Sequence, residues 1–243
     1  MCTNYSTTVR DEIRDRLNLN PPTFEYEPEL WPGYKGPMLI RDFEWRLAMF
    51  GMVPYFSKDG KDFRRTYNAR SETAHEKPTY RGPWSRRQVA LIPMRAFFEP
   101  SYESGKAVRW RIERQDGEPF TVAALWDTWM PRDSPDTRLH SFSMLTMNAD
   151  GHPLMGRFHA PGSEKRSLVV VPADLREAWL QTEDLGVFLR EIPADEFTSQ
   201  ADPLPPRKKA TEPVLSEQQR TEPVVLSEQQ RLDLKGWLQS GQG

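Results

Sequence analysis

Residues 108–113 read Val-Arg-Trp-Arg-Ile-Glu, and this stretch decides the fold class. Apolar Val108, Trp110 and Ile112 alternate with Arg109, Arg111 and Glu113. A period of two sends successive side chains to opposite faces, so the stretch reads as a half-buried β-strand with a cationic outer row. Working outward, Gln88–Phe98 reads as a strand interrupted at Pro93, and Phe120–Trp126, Ser141–Met147 and Ser167–Val171 read as further strands. Leu47–Pro54 is a short strand that ends at its proline. Helical spacing is sparser. Val9, Ile13 and Leu17 recur every fourth residue, which predicts a helix over Ser6–Leu19 capped by Ser6 or Thr7. Asp174–Leu180 and Glu183–Leu189 read as short helices, the first capped after Pro172. The run PPTFEYEPELWPGYKGP (21–37) is expected to be coil wrapped on the core, and KDFRRTYNARSETA (61–74) is expected to turn at NAR and open a short helix at SETA. No strand–helix alternation of the parallel kind is present. The pattern predicts an α+β fold: a mainly antiparallel, curled or barrel-like sheet with a few flanking helices.

Composition narrows the class. Hydrophobic residues make up 37% of the 243, and no apolar run approaches the ~20 residues of a membrane helix. The N-terminus lacks the apolar core of a secretory signal. The single cysteine excludes an internal disulfide framework and fits a reducing, cytoplasmic setting. One Cys and four scattered His argue against structural zinc, and nothing in the sequence asks for a cofactor. Residues 2–193 are expected to form one domain, with 194–243 a linker and partly disordered tail rich in Pro, Lys and small polar residues. This tail contains a duplication, TEPVLSEQQR (211–220) and TEPVVLSEQQR (221–231), and closes on the apolar Leu232, Leu234, Trp237 and Leu238. Net charge is −2, but its distribution is uneven. Lys61–Arg114 carries thirteen Lys/Arg against six Asp/Glu, whereas Asp174 onward carries eight against thirteen. A basic middle suits either a polyanion groove or the solvated face of arginine-rich strands.

The lone cysteine stands at position 2. Trimming Met1 would leave its thiol beside a free α-amine on one carbon. Such a 1,2-aminothiol attacks an aldehyde through nitrogen to give an imine, and sulfur then closes a five-membered thiazolidine. Because both groups hang from one residue, the second attack is intramolecular, a pre-orientation worth on the order of 7–11 kcal/mol of barrier. Elsewhere, Glu99 lies beside Phe97 and Phe98 in a setting suited to moving protons off an amine. His159 is of the residue type that titrates near neutrality and can give or take a proton. Asn68 offers an amide at a turn, and Arg70, two residues on, a phosphate fork. Arg109 and Arg111 share one strand face as further phosphate candidates. Trp31, Phe50, Trp84 and Phe98 are aromatics that can stack on unpaired bases or fill the core. Glu103 reads as part of a hairpin turn, and His75 and His140 as surface or capping histidines.

Cys2 at the start, Phe50-Gly51-Met52-Val53-Pro54, Asn68-Ala69-Arg70-Ser71-Glu72-Thr73, Phe97-Phe98-Glu99-Pro100, and Gly151-His152-Pro153 with Arg157-Phe158-His159 occur in that order. Together they resemble the SOS response-associated peptidase (SRAP) family over roughly residues 2–180. The resemblance implies capture of abasic sites in single-stranded DNA through a thiazolidine on the N-terminal cysteine, with autocatalytic loss of Met1 possible and no membrane association. It assigns Cys2 as nucleophile, Glu99 as proton shuttle, His159 as ring-opening acid, Asn68 as orienting amide and Arg70 as phosphate ligand, in a monomer. This chain departs from the family pattern in three places. Cys2-Thr3-Asn4 stands where Cys-Gly-Arg is common, so Asn4 replaces a phosphate-binding arginine in part. Phe50 stands where tryptophan is usual. APGSEKRS follows His159 as a longer loop, which leaves His152 as the alternative histidine. Two other classes share the residues: an N-terminal-nucleophile hydrolase acting on amides through Cys2, and a non-covalent single-strand binding module.

Overall fold

The computed structural model describes residues 2–131 and 136–205. Its described residues hold twelve strands: β1 (Asn4–Thr7), β2 (Glu29–Leu30), β3 (Lys35–Ile40), β4 (Glu44–Phe50), β5 (Asn68–Arg70), β6 (Val89–Ser101), β7 (Val108–Arg114), β8 (Phe120–Trp129), β9 (Leu139–Asn148), β10 (Arg166–Leu168), β11 (Val170–Val171) and β12 (Phe197–Ala201). Three short helices flank them: α1 (Arg10–Asp15), α2 (Arg81–Ser85) and α3 (Arg176–Gln181). No helix among the described residues is long and apolar enough to cross a membrane.

The sheet closes on itself. β8 pairs with β9, β9 with β4, β4 with β3, β3 with β6, and β6 again with β8, which makes a five-stranded barrel. Closure leaves those five strands without a free edge among themselves. The pleat then divides the core. Met38, Ala48, Phe50, Ala90, Ile92, Val122, Ala124, Phe142 and Met144 share one buried cluster to which every barrel strand contributes. The alternate residues Leu39, Leu91, Ala123, Leu125 and Leu145 face outward and are covered by Trp179 and Leu180 of α3. The Trp179 indole N–H donates to the Ala90 carbonyl at 2.9 Å, which pins α3 to the strand.

The mainly antiparallel barrel with few helices is the architecture that the period-two strands predict. Several local expectations differ. Ser6–Leu19 is not one helix. Asn4–Thr7 is a strand paired on one side with β6 (Asn4↔Phe98, Thr7↔Met94) and on the other with β2, and α1 starts only at Arg10. Thr7, Thr8 and Val9 are β-branched and weak helix formers. A ladder on both sides outweighs their local spacing, and Val9 is left 55% exposed while Ile13 and Leu17 are buried. The NAR segment is the strand β5, parallel to β9, rather than a turn, and SETA runs into successive turns before α2. Glu183–Leu189 contributes only a three-residue 3₁₀ turn at Gly186–Phe188. Pro93 does not break β6. It lies between Leu91, which pairs with β3, and Met94, which pairs with β1, where the outer partner changes over.

Three strands, β2, β3 and β12, come from segments read as coil or linker. β3 includes Gly36, where a Cβ would collide with the Leu30 side chain of β2 and force it to move. β12 lies beyond residue 193, in the segment expected to be linker. It pairs along β7 from Phe197↔Arg114 to Ala201↔Trp110, and the compact unit extends to Leu204. The duplication and the terminal apolar residues lie outside the described residues.

Phe197 is 2% exposed and meets Phe120 edge to face at 5.1 Å. Phe197→Ala should therefore cost about 3 kcal/mol in urea unfolding, the low end for a buried phenyl ring. A chain ending at residue 193 should lose more stability than one ending at 205, because only the former exposes the edge of β7.

Candidate active site

The pairing of β1 with β6 sets where Cys2 lies. The Cys2 side chain is fully buried, and its thiol donates to the Asn4 carbonyl at 3.3 Å. From the facing strand β5, the Asn68 amide donates to the Cys2 carbonyl at 2.8 Å. Asn68 is itself tied down, since the Tyr80 hydroxyl donates to its carbonyl at 3.1 Å. The Asn68 Oδ1 is buried with no hydrogen-bond partner among the described residues. Burial pushes the Cys2 thiol above its ordinary range, and the negative charge of Glu99 adds to the effect. The thiol is thus held protonated at neutral pH.

Glu99 is nearly at the end of β6, opposite Trp110 of β7. Its carboxylate lies 2.9 Å from Nε2 of His159, and both side chains are buried. His159 follows the 3₁₀ turn Met155–Arg157 and adopts a left-handed φ of 68°, uncommon for a residue with a side chain. Three contacts over-determine that conformation. The His159 backbone N–H donates to the Pro100 carbonyl at 2.8 Å, the Lys165 ammonium donates to the His159 carbonyl at 3.3 Å, and the Arg166 backbone N–H donates to Nδ1 at 3.4 Å. Because Nδ1 accepts that bond, the hydrogen of the neutral ring stands on Nε2, the atom that lies 2.9 Å from the Glu99 carboxylate. Arg166 belongs to the APGSEKRS stretch expected to be a longer loop, but its side chain is 3% exposed and bonds Glu72 at 2.8 Å, Glu164 at 2.6 Å and the Thr146 carbonyl at 2.7 Å. Sequence pattern gives no sign of this burial. Tyr67 is a second residue that sequence reading passes over. Its hydroxyl is pushed up by burial and then by Cys2 and Glu99, so it shares their surroundings, and its ring meets Phe50 at 5.8 Å.

His152 occupies a different environment. Its Nδ1 accepts from the backbone N–H groups of Leu154 and Met155, at 3.1 and 2.9 Å, and its Nε2 reaches the Ile192 carbonyl at 2.7 Å. Both nitrogens are spent on backbone. Glu103 pairs with Arg157 at 2.9 Å, His140 meets the Thr128 hydroxyl at 2.9 Å, and His75 lies beside Glu76 at the surface.

The cationic candidates divide. Arg70 is half exposed and pairs with Glu164 at 3.0 Å. Arg109 lies 3.4 Å over the Phe98 ring and bonds Glu29 at 2.8 Å, and Arg111 bonds Glu113 at 2.7 Å and the Ser6 hydroxyl at 3.2 Å. The outer row of β7 is therefore held by carboxylates and by the Phe98 ring. Asn4 is buried and donates to Glu29. Phe98 and Phe50 are buried too, Phe50 stacking on Phe142 at 5.5 Å, whereas Trp31 and Trp84 are half-buried.

The sequence profile of the SOS response associated peptidase (SRAP) family matches residues 1–201. Among curated proteins, the chain is 29% identical over 138 residues to the abasic site processing protein YoaM of Bacillus subtilis, a match spanning 53% of this chain and 60% of that protein. It is 27% identical over 179 residues to the abasic site processing protein YoqW of the same organism, spanning 70% of this chain and 75% of that protein. Among solved structures, one from Bordetella bronchiseptica superposes with a TM-score of 0.77 at 34% identity, covering 84% of this chain and all of the other. One from Bacteroides thetaiotaomicron gives a TM-score of 0.69 at 18% identity, covering 82% and 91%, and shares the fold. With the profile running from the first residue through the last strand of the sheet, the chain belongs to the SOS response associated peptidase family.

Proposed function

We propose that this protein captures abasic sites in single-stranded DNA by forming a thiazolidine on Cys2 after loss of Met1. The observation that carries the reading is the gathering of Cys2, Asn68, Glu99 and His159, from four separate stretches of chain, around one buried thiol. The relatives named for abasic site processing support it. An abasic sugar is mostly closed, and its aldehyde appears when the ring oxygen is protonated and the C1–O bond breaks. His159 presents Nε2–H for that proton, while the C1 hydroxyl gives its own proton to the Glu99 carboxylate, which passes it back to Nε2, so the ring opens with no net change in protons. The freed amine of Cys2 then adds to the aldehyde carbon. Glu99 takes the proton from nitrogen and returns it to the hydroxyl, which leaves as water and gives the imine. The thiol adds last: sulfur bonds the imine carbon and its proton moves to nitrogen, so the whole sequence releases one water. The protonated state of the buried thiol favours this order, nitrogen first and sulfur second. Asn68 holds the Cys2 carbonyl, and its Oδ1 offers the amine an acceptor. Arg70 is the phosphate ligand in this reading. Arg109, Arg111 and Asn4 contribute to binding only if strand entry displaces Glu29 and Glu113 from them.

Mature protein incubated with an abasic single-stranded oligonucleotide should give a heat-stable shifted band, with a mass equal to the sum less one water. Cys2→Ala should give none. A Cys2→Ala band equal to that of the wild type would refute the reading, and turnover of small amides without DNA capture would favour the hydrolase.

His159→Gln should slow band formation about a hundredfold to ten-thousandfold, the usual worth of a positioned acid–base group. His152→Gln should instead lower the melting temperature while leaving the rate of the folded fraction close to wild type.

Removing the charge of Glu99 should ease ionisation of the thiol. In Glu99→Gln the titration of Cys2, followed by its alkylation rate against pH, should move down but stay above that of an ordinary cysteine, because burial is the larger cause. At a fixed alkaline pH alkylation should quicken relative to the wild type.

A further inference from the structure

The hairpin between β3 and β4 turns through Arg41, Asp42 and Phe43, with Ile40 facing Glu44 at its base. Asp42 and Phe43 are both left-handed, with φ of 60° and 56°. A turn with two such residues favours Asn-Gly, and a bulky ring in that conformation is an outlier. Phe43 is nevertheless 41% exposed, so the fold does not hold it there to fill the core. Phe43 and Trp45 line one cleft of about 400 Å³ with Asn18 and Asn20. Asn18 is itself left-handed, with φ of 54°. The Trp45 indole N–H donates to the Asn20 carbonyl, which fixes the ring as one wall.

The same hairpin tip borders a second cleft, of about 440 Å³, lined by Arg41, Arg86, Arg87 and Trp126. Glu183 is the acidic residue on its lining, 84% exposed and 4.0 Å from Arg87. Arg86 also bonds Asp127 at 3.1 Å, and no described ion pair engages Arg41. Three guanidinium groups therefore face fewer carboxylates. Ten residues of β6, up to about 33 Å of extended strand, separate Val89 at this cleft from Glu99.

We propose that the β3–β4 hairpin tip is a second binding site, separate from the Cys2 site, that takes a phosphate ester carrying a flat base: the base enters the Phe43–Trp45 cleft and the phosphate lies against Arg41, Arg86 and Arg87. Aromatic walls accept any base through its face, and guanidinium forks suit phosphate oxygens. The shared chemistry admits two sources, a nucleotide unit of a single strand or a free nucleotide.

The test uses undamaged oligothymidylate and thymidine monophosphate, neither of which carries an aldehyde, so its outcome is independent of capture by Cys2. Binding to the full chain is followed by calorimetry, with Phe43→Gly, Phe43→Asn and a combined Arg41→Ala/Arg87→Ala variant. Both Phe43 variants suit a left-handed backbone, and their melting temperatures should hold or rise. Each should weaken binding about 5- to 150-fold, the span of one lost base-stacking contact. The arginine variant should weaken binding and flatten its salt dependence. Loss confined to the oligonucleotide assigns the site to a strand, and loss with both ligands assigns it to nucleotides generally. Unchanged affinity for both ligands in all variants would overturn the proposal. So would a marked fall in melting temperature with either Phe43 variant, which would make the ring a structural part.

Discussion

The ladder between Asn4–Thr7 and Met94–Phe98 is the constraint on which the site depends. A chain terminus normally frays, because few contacts offset the entropy of ordering it. Here β1 is flanked on both sides, by β6 and β2, and Tyr5 is fully buried with its ring edge-on to Phe50 at 5.4 Å. Ordering four residues in this way restrains Cys2, two positions ahead of them. Cys2 then needs only the Asn68 amide and the Asn4 carbonyl to take a single position. An aminothiol on a mobile terminus would have the same atoms and none of this orientation.

The partner of that ladder is a strand with two duties. The first half of β6 closes the barrel against β8, and its second half leaves the barrel to pair with β1 and β7. Glu99 therefore projects from a rigid strand that is already committed on both edges. His159 reaches the carboxylate from a loop held in a costly left-handed conformation, and the same neighbours that hold the backbone also choose the tautomer. The comparison with His152 is instructive. Both rings are buried, and both accept a backbone N–H at Nδ1. One spends its Nε2 on the Ile192 carbonyl, a group that neither gives nor takes a proton. The other turns its Nε2 to a carboxylate, which can do both.

The period-two runs made the barrel strands legible, because a pleated strand with one buried face leaves its alternation in the sequence. Lys35–Ile40 left no such trace. Its residues from Gly36 onward are buried, and its Gly36 and Pro37 read as loop until the close approach of Leu30 explains the glycine. The Val9-Ile13-Leu17 spacing marked a helix but could not mark its start, since a distant strand claimed Ser6 and Thr7. Of the site, the residue types and their order were legible through the family resemblance. The choice of His159 as the partner of Glu99, the burial of Arg166 and the engagement of Arg109 and Arg111 by carboxylates were not. Each depends on which groups meet across long loops, and that information is not local. Charge counting is no more local: thirteen basic residues between Lys61 and Arg114 suit a groove or a solvated face, and only the fold shows that Arg109 and Arg111 on β7 are paired with carboxylates.

Burying a nucleophile is expensive for its reactivity, and the proposed chemistry turns that into an ordering of events. A thiolate exposed at a chain terminus would meet oxidants and stray aldehydes first. Here desolvation and the Glu99 charge keep sulfur protonated, so it contributes little until the imine carbon is already beside it. At that point the reaction is within one residue, and proximity replaces the nucleophilicity that burial removed. In the proposed chemistry the Glu99 charge that suppresses the thiolate is also the acceptor for the proton on the amine. One carboxylate thus restrains sulfur before capture and assists nitrogen during it, which gives a physical reason for a buried acid, rather than a solvated one, beside the only cysteine in the chain.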